Sequence, residues 1–306
     1  MPLKRPWLVA VWPGMGSVAL MAGYYLMSKL GMHLLEELSA EELFDVEHVE
    51  VKDGLIRSGR LPRSRLFAWS DPGGQRDIVV FLGEAQPPRG RYAFCRRLIA
   101  KARELDVERI FTFAALATGM NPAAEARVFG AATDEGSLAE LRHLELSILE
   151  DGQIGGLNGV LLGAAAEAGL QGACLLGEMP HLFTQLPFPK ASLAVLRLFA
   201  DLARIDLDFG ELQDQADAME RQLGNVLERL RQQLQEQPRA DEADEESWAA
   251  EQENGLPPED KMRIERLFGE ATKDRSKAYE LKRELDRLGV FAEYEDRFLD
   301  IFRTAE

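Results

Sequence analysis

The sequence has few of the residues that build disulfide frameworks and metal clusters. Two cysteines, Cys95 and Cys174, and four histidines occur among its 306 residues. The cysteines lie far apart and form no CxxC pair, which excludes a disulfide framework and a thiolate metal cluster. Both stand in apolar stretches, so we expect them in the core of a protein from a reducing compartment, the cytoplasm.

The sequence also lacks the motifs of familiar hydrolases and metalloenzymes. It contains no Gly-x-Ser-x-Gly, no His-Glu-x-x-His and no glycine loop that ends in Gly-Lys-Ser or Gly-Lys-Thr. The histidines are scattered without the spacing of metal ligands. We therefore predict no catalytic residue, no metal site and no cofactor, and the sequence favours a non-enzymatic role.

Basic residues are outnumbered, with 36 Lys and Arg against 52 Asp and Glu and a net charge of −16. An acidic surface repels phosphate backbones and anionic lipid heads, so we expect no nucleic-acid partner and no membrane partner. The acidity is concentrated in residues 211–306, which hold 26 acids and 15 bases, against 26 acids and 21 bases before them. The total charge therefore does not exclude an anionic ligand on the first part of the chain.

Long apolar runs are missing except for the uncharged residues 7–28, which the sequence PGMGS interrupts at positions 13–17. Residues that favour β-structure precede the interruption, and residues that favour a helix follow it. This order predicts a buried strand, a glycine turn and a helix rather than a transmembrane helix.

Strand-like and helix-like segments alternate over residues 1–208, which predicts an α/β fold: a three-layer α/β/α domain with a mixed sheet. A β-hairpin insert is expected around residues 46–83, where β-like runs flank the turn sequence Asp71-Pro72-Gly73-Gly74. A short apolar strand is expected over residues 172–176.

The remainder of the chain predicts helices separated by a linker. We expect a long helix over 209–235, an acidic linker over 236–258 with nine acids and no base between 241 and 260, and a helical C-terminal segment over 259–306. Apolar residues recur at helical spacing in both helical parts, and we interpret them as an interaction seam. The seam residues are Leu212, Met219, Leu223, Leu230, Leu281, Leu285 and Leu288. Such a seam packs on its own domain or on a neighbouring subunit.

Two glycine loops introduce helices and could present backbone N–H groups to an anion. Gly14-x-Gly16-x-x-Ala19 follows the first strand, with Glu36 or Glu37 about 20 residues on, as in a dinucleotide site. A β-rich insert stands where the next βα unit of such a domain should come, and a tight turn needs glycines in any case, so a dinucleotide site is not favoured there. Gly156 and Asn158 lie in the second loop, which close packing of a helix on a sheet explains equally well.

Polar side chains are expected beside these loops, because Glu84, Thr118 and Glu178 follow apolar strands whose carboxyl ends would share one edge of the sheet. Two carboxylates there could act as acid and base or hold a metal; capping of helix ends and backbone donors is the favoured alternative. The candidate ligand rim consists of Gly14, Gly16, Glu84, Thr118, Gly156, Asn158 and Glu178.

Five segments of the chain resemble, in the same order, the proteasome assembly chaperone 2 family. They are LVAVWPGMGSVALMAGYYL, VVFLGEAQPP, FTFAALATGMNP, IGGLNGVLLGAAAEAGLQGACLLGEMP and the closing DRSKAYELKRELDRLGVFAEYEDRFLDIF. The resemblance covers nearly the whole chain, and the closing segment resembles the tails of archaeal members.

This resemblance implies a phosphorylase/hydrolase-like three-layer fold, self-association and action through protein surfaces, with proteasome subunits as possible partners. Archaeal relatives that dock on proteasomes end in a hydrophobic-Tyr-x sequence, whereas this chain ends in Arg303-Thr304-Ala305-Glu306, so docking by that route is not expected. Two hypotheses follow: a homo-oligomeric, assembly-chaperone-like protein, or an enzyme or sensor that binds a nucleotide, a nucleoside or another phosphate-bearing ligand at the rim.

Overall fold

The computed structural model describes residues 3–39, 41–46, 49–57, 59–236 and 257–303. The strands are β1 (Trp7–Val11), β2 (His33–Leu38), β3 (Glu50–Lys52), β4 (Leu55–Arg57), β5 (Ser64–Trp69), β6 (Ile78–Gly83), β7 (Arg109–Thr118), β8 (Val128–Ala132), β9 (Ser147–Ile148) and β10 (Gln171–Pro180). The helices are α1 (Val18–Lys29), α2 (Arg91–Glu104), α3 (Glu135–Leu141), α4 (Gly156–Glu167), α5 (Pro189–Ala203), α6 (Gly210–Glu236), α7 (Pro258–Lys273), α8 (Ala278–Arg287) and α9 (Phe291–Asp300).

Eight of the strands form one sheet in the order β2-β5-β6-β1-β7-β10-β8-β9. The four central strands β6, β1, β7 and β10 are parallel, whereas β5 and β8 run antiparallel to the central strands that they pair with. The predicted mixed sheet is therefore confirmed, and its parallel strands share one carboxyl edge and one amino edge.

Helices cover both faces of the sheet. Side chains along each strand point alternately to the two faces, so each central strand contributes to two cores. Val9 and Val11 of β1 face a core that includes residues of α1 and α5, while Leu8 and Ala10 face a second core built with α2 and α4. The three-layer α/β/α architecture is thus confirmed. Cys95 and Cys174 lie buried in the second core, where burial raises the pKa of each thiol to about 12.

The uncharged run at the start of the chain folds as β1, a short 3-10 turn over Met15–Ser17, and α1. This is the strand, turn and helix that the interruption predicts. Within the described ranges, none of the helices has both the length and the apolar character that crossing a bilayer requires.

Two parts of the sheet differ from the sequence expectation. Within the segment 46–83, β5 and β6 belong to the main sheet, and only the β3–β4 hairpin stays outside it. The strand expected over 172–176 continues as β10 to Pro180, because it keeps pairing with β7 as far as Thr118. Thr118 and Glu178 accordingly lie within strand ends and do not follow them.

The C-terminal helices pack on one face of the α/β domain. The first part of α6 packs along α5, and α8 and α9 pack against α1, where Tyr24 contacts the rings of Phe291 and Phe298. Gly289, with φ of +69°, ends the α8 segment. The expected linker 236–258 falls almost wholly on residues 237–256, which lie outside the described residues, as do 304–306.

Candidate functional site

The proposed rim residues belong to the carboxyl edge of the parallel strands and to the loops beside it. Glu84 directly follows β6, the loop with Gly14 and Gly16 follows β1, and Thr118 and Glu178 end β7 and β10. The second glycine loop joins this edge through Gln86, whose Oε1 accepts from the N–H of Leu157 (3.0 Å) and whose Nε2 donates to the carbonyl of Pro13 (3.2 Å).

Glu84 uses both carboxylate oxygens to organise arginines. Its Oε2 accepts from Nη1 of Arg60 (2.6 Å) and the N–H of Arg63 (2.9 Å), and its Oε1 accepts from Nη1 of Arg65 (2.9 Å). Arg65, which is 2% exposed, also donates to Asp296 of α9 at 2.9 Å. Glu84 thus links the end of β6 to the C-terminal helices.

Both carboxylate oxygens of Glu178 also accept hydrogen bonds, but from a different set of donors. It is 2% exposed, and its oxygens accept from Nε (2.8 Å) and Nη2 (2.7 Å) of Arg127 and from Oγ1 of Thr118 (2.8 Å). These hydrogen bonds, that from Arg127 above all, hold the pKa of Glu178 below its ordinary value. The geometry is that of a buried carboxylate stabilised in its charged form.

The two carboxylates do not share a site. β6 and β10 are separated by β1 and β7 in the sheet. Three steps of roughly 4.8 Å place the ends of these strands roughly 14 Å apart, too far for an acid/base pair or for ligands of one metal ion. Within the described ranges, no group of three His, Cys, Asp or Glu residues could hold a metal ion.

The first glycine loop serves packing. Gly16 has φ of +61°, and a Cβ there would lie 2.8 Å from Sδ of Met179. Its N–H donates to the carbonyl of Thr184 (2.9 Å), and the N–H of Ser17 donates to the carbonyl of Gly14 (3.0 Å). These amides are therefore already used and do not face a phosphate.

The dinucleotide interpretation meets a second difficulty in the strand order. Glu36, the acid expected to bind ribose, lies in β2, which is three strands away from β1. Its carboxylate pairs with Lys101 at 3.1 Å. A dinucleotide site needs that acid on the strand beside β1, so the spacing in the sequence was misleading.

Two buried polar atoms near the rim remain without a hydrogen-bond partner among the described residues. They are Nε1 of Trp12, at the end of β1, and Oδ1 of Asn158, in the first turn of α4. Gly156, two residues before Asn158, has φ of +68°, and a Cβ there would come within 2.8 Å of Oε1 of Gln86. A donor and an acceptor left open in this region are the rim features that could serve a ligand.

The predicted interaction seam is mostly buried within the chain itself. Leu212, Leu281 and Leu285 belong to the core that includes α1 and α5, and Leu288 packs against it. Leu223, with Met219 beside it, covers a small cluster formed by Val18, Met179, Phe183 and Phe188. The side chain of Leu230 lies outside the described part. The described seam residues therefore pack on their own domain.

The β3–β4 hairpin carries the largest group of exposed apolar side chains in the described part of the chain. Val51 and Ile56 form a cross-strand pair and are 69% and 74% exposed, and Leu55 of β4 is exposed as well. Val46 and Val49, which precede the hairpin, are also exposed. The sequence predicts β-like runs in the insert around residues 46–83 but not which of them join the main sheet. Asp53-Gly54, with φ of +54° and +75°, is the sequence signal for the turn between β3 and β4, whereas no pattern places this hairpin outside the sheet.

Comparison with known proteins places the fold. A model of the PAC2 family matches residues 8–227. An uncharacterised protein of Methanocaldococcus jannaschii is 27% identical over 222 residues, which cover 72% of this chain and 82% of the relative. The crystal structure of PbaB, an archaeal proteasome activator from Pyrococcus furiosus, is similar with a TM-score of 0.63 and 23% identity, over 74% of this chain and 95% of that chain.

A proteasome-assembly chaperone homologue from Mycobacterium tuberculosis is similar to the same extent, with a TM-score of 0.63 and 26% identity, over 72% of this chain and 94% of that chain. The family model begins in β1 and ends within α6, so that it spans the entire eight-stranded sheet. The match extends over well more than half of the sequence and confirms the resemblance of the four segments that lie within it, whereas the closing segment lies beyond it. The chain belongs to the PAC2 family.

Proposed function

We propose that this protein is a non-enzymatic, assembly-chaperone-like protein that works through protein contacts and associates with itself. Support comes from its family and from a relative named as a proteasome-assembly chaperone homologue. The carboxyl edge supports it too, because Glu84 and Glu178 are used to hold the fold and lie too far apart to act together.

The observation that carries the proposal is the exposed apolar face of the β3–β4 hairpin. Val51 and Ile56 face the same side, whereas Leu55 and Arg57 lie on the other side. A two-stranded hairpin alone is marginally stable in water, and exposed apolar clusters mark protein contacts. A second copy of the hairpin would cover this face with the same apolar residues and remove both from water.

Light scattering coupled to size-exclusion chromatography tests self-association on the full chain. We expect the wild-type mass to exceed the 34.2 kDa of one chain and the double variant Val51→Ser/Ile56→Ser to shift toward one chain. Leu182→Ser, an equally exposed residue outside the hairpin, should leave the mass unchanged. A wild-type monomer, or equal masses for both variants, would contradict self-association through this face.

Affinity capture from the organism of origin tests the assembly role separately. If proteasome subunits are clients, they should be recovered with the wild-type protein and lost with the hairpin double variant. Recovery of self-copies alone would replace the assembly role by that of a homo-oligomeric scaffold.

Ligand binding at the rim is the second candidate function, favoured by the unpartnered Trp12 Nε1 and Asn158 Oδ1. A nucleotide, nucleoside or phosphate-bearing ligand bound there should stabilise the fold, by about 2.7 kcal/mol at 100 times its dissociation constant. A thermal-shift screen of such compounds should find a stabiliser whose effect is lost in Asn158→Ala. If none of the compounds raises the melting temperature, the rim does not bind this class of ligand.

A further inference from the structure

The amino edge of the parallel strands carries a stack of guanidinium groups on an aromatic ring. Trp7, the first residue of β1, is 3% exposed and packs against the rings of Phe111 and Phe199. The Cζ of Arg76 lies 3.8 Å from the centroid of the Trp7 ring, and the Cζ of Arg109 lies 5.0 Å from it. The buried ring therefore holds two cations at the same edge.

The two cations differ in what else they contact. Arg109 is held by Glu140, whose Oε1 accepts from its Nη2 at 2.9 Å. Arg76 makes no hydrogen bond and no ion pair with any residue in the described ranges, and its Nε is buried. Arg76 as a whole is half-buried, and of its nitrogens only Nε is buried without a partner among the described residues.

A second donor in the same stack is also unused. Nε1 of Trp7 is buried and has no acceptor among the described residues. Buried N–H groups without an acceptor are rare in native proteins and call for a bound group or water. Two such donors, on Trp7 and Arg76, belong to side chains in direct contact.

Positive charge is in excess around this stack. Burial lowers the pKa of Arg76, and the neighbouring charges of Arg109, Arg5 and Arg204 lower it further. Glu108 pairs with Arg5 at 2.7 Å, Glu140 pairs with Arg109, and the carboxylate of Asp77 accepts from the N–H groups of Lys4 and Asp71. Among the described residues, Arg76 is left without a carboxylate.

We propose that this amino edge binds a compact oxyanion, a phosphate group, at the terminal nitrogens of Arg76 where that guanidinium stacks on Trp7. A guanidinium presents two parallel N–H donors that match phosphate oxygens. Stacking on Trp7 fixes the plane of Arg76 before binding, which reduces the entropy lost on binding. A phosphate group carries a charge of about −1.5 to −2 at neutral pH, and no carboxylate among the described residues competes with it for Arg76. This site is separate from the hairpin and the rim.

Calorimetric titration of the full chain with inorganic phosphate, at constant ionic strength, tests the site. We expect saturable binding to the wild type that Arg76→Gln weakens by about 10- to 100-fold, because hydrogen bonds to a charged group are lost. Arg266→Gln, which removes an exposed arginine of α7 paired with Glu270, is the matched control and should bind like the wild type. No saturable heat with the wild type, or equal affinity for both variants, would overturn the proposal.

Tryptophan emission gives an independent readout that does not depend on heat. Phosphate should change the emission of the wild type, and the change should disappear in Trp7→Phe, which keeps an aromatic ring but loses the N–H. A change that persists in Trp7→Phe would place the ion elsewhere and overturn the proposal.

Two further ligands identify the source of the phosphate. Tighter binding of glycerol 3-phosphate than of inorganic phosphate would indicate a phosphorylated small molecule, and the reverse order would indicate the free ion; both support the site. A glutamate-rich peptide that binds where inorganic phosphate does not would make this edge a docking surface for acidic protein and would overturn the oxyanion proposal.

Discussion

The charged side chains at the two edges of the parallel strands differ in whether they have hydrogen-bond partners. At the carboxyl edge, Glu84 and Glu178 each use both oxygens on donors of the same chain. At the amino edge, Arg76 lies on Trp7 with no acceptor among the described residues. The carboxyl edge is where α/β sheets usually bind ligands, yet here its carboxylates hold the fold, and the open hydrogen-bonding capacity of charged groups lies at the other edge.

The difference has a physical origin in the C-terminal helices. Through Arg65, Glu84 reaches Asp296 of α9, and Arg60 approaches the same carboxylate at 3.4 Å. The family model ends at residue 227, so α7, α8 and α9 lie beyond it. Glu84, directly after β6, therefore takes part in the contact that holds α9 on the α/β domain, and α9 lies beyond the residues that the family model matches.

The largest effect should come from breaking the network at the carboxyl edge. Arg65→Ala leaves Oε1 of the buried Glu84 without its donor, and removal of one member of a buried pair costs about 3–5 kcal/mol. Arg76→Ala at the amino edge leaves no carboxylate unpaired and loses only a contact with an aromatic ring, about 0.5–1 kcal/mol. Urea unfolding measures both. If Arg65→Ala and Arg76→Ala lower the free energy of unfolding equally, the arginine at the carboxyl edge is no more important for stability than the arginine at the amino edge.

A smaller effect, with a characteristic pH dependence, is expected at Glu178. Glu178→Gln removes a charged acceptor from Arg127, which should lower the free energy of unfolding by about 1.5–3 kcal/mol at neutral pH. Because the pKa of Glu178 is lowered in the folded state, its contribution is complete above its ordinary pKa of about 4.5 and is lost as the pH falls through the folded value.

The difference between the wild type and Glu178→Gln should therefore shrink below about pH 4.5. Denaturation curves across this pH range measure it. Glu270→Gln, which breaks an exposed pair with Arg266 on α7, is the control and should cost no more than about 0.5 kcal/mol. A difference for Glu178→Gln that stays constant with pH would mean that its charge does not stabilise the fold.

Much of the fold could be predicted from the sequence because its signals are local. The interrupted run at residues 7–28 contains both a strand pattern and a helix pattern, and Asp71-Pro72-Gly73-Gly74 lies between β5 and β6 as turn chemistry requires. The gathering of Glu84, Thr118 and Glu178 at one edge also follows from parallel strands. Periodicity and turn residues are sufficient for these features.

The partners of those side chains could not be predicted because they come from distant parts of the chain. Asp296 lies 231 residues from Arg65, and Arg127 lies 51 residues from Glu178. The spacing between Gly14 and Glu36 looked like a dinucleotide site because the sequence does not show that β5 and β6 lie between β1 and β2. The contact between Arg76 and Trp7 likewise has no local pattern.

The smallest expected effect is a difference in the free energy of unfolding between two glycine-to-alanine variants, one at each edge. Gly156, beside the carboxyl edge, and Gly31, which follows α1 at the amino edge, both have positive φ, so an alanine at either position costs about 1–2 kcal/mol through its backbone. Around Gly31 a Cβ would meet nothing within 4 Å, whereas at Gly156 it would displace the Oε1 of Gln86. Gly156→Ala should therefore also lose the bridge from Gln86 to Leu157, a further loss of about 0.5–1.5 kcal/mol.

A double-mutant cycle separates these two contributions to the free energy of unfolding. In a Gln86→Ala background, the bridge is already missing, so Gly156→Ala should cost only as much as Gly31→Ala. If Gly156→Ala costs the same in both backgrounds, Gln86 does not hold the two glycine loops together. The carboxyl edge would then be open at its loops, and its difference from the amino edge would be confined to Glu84 and Glu178.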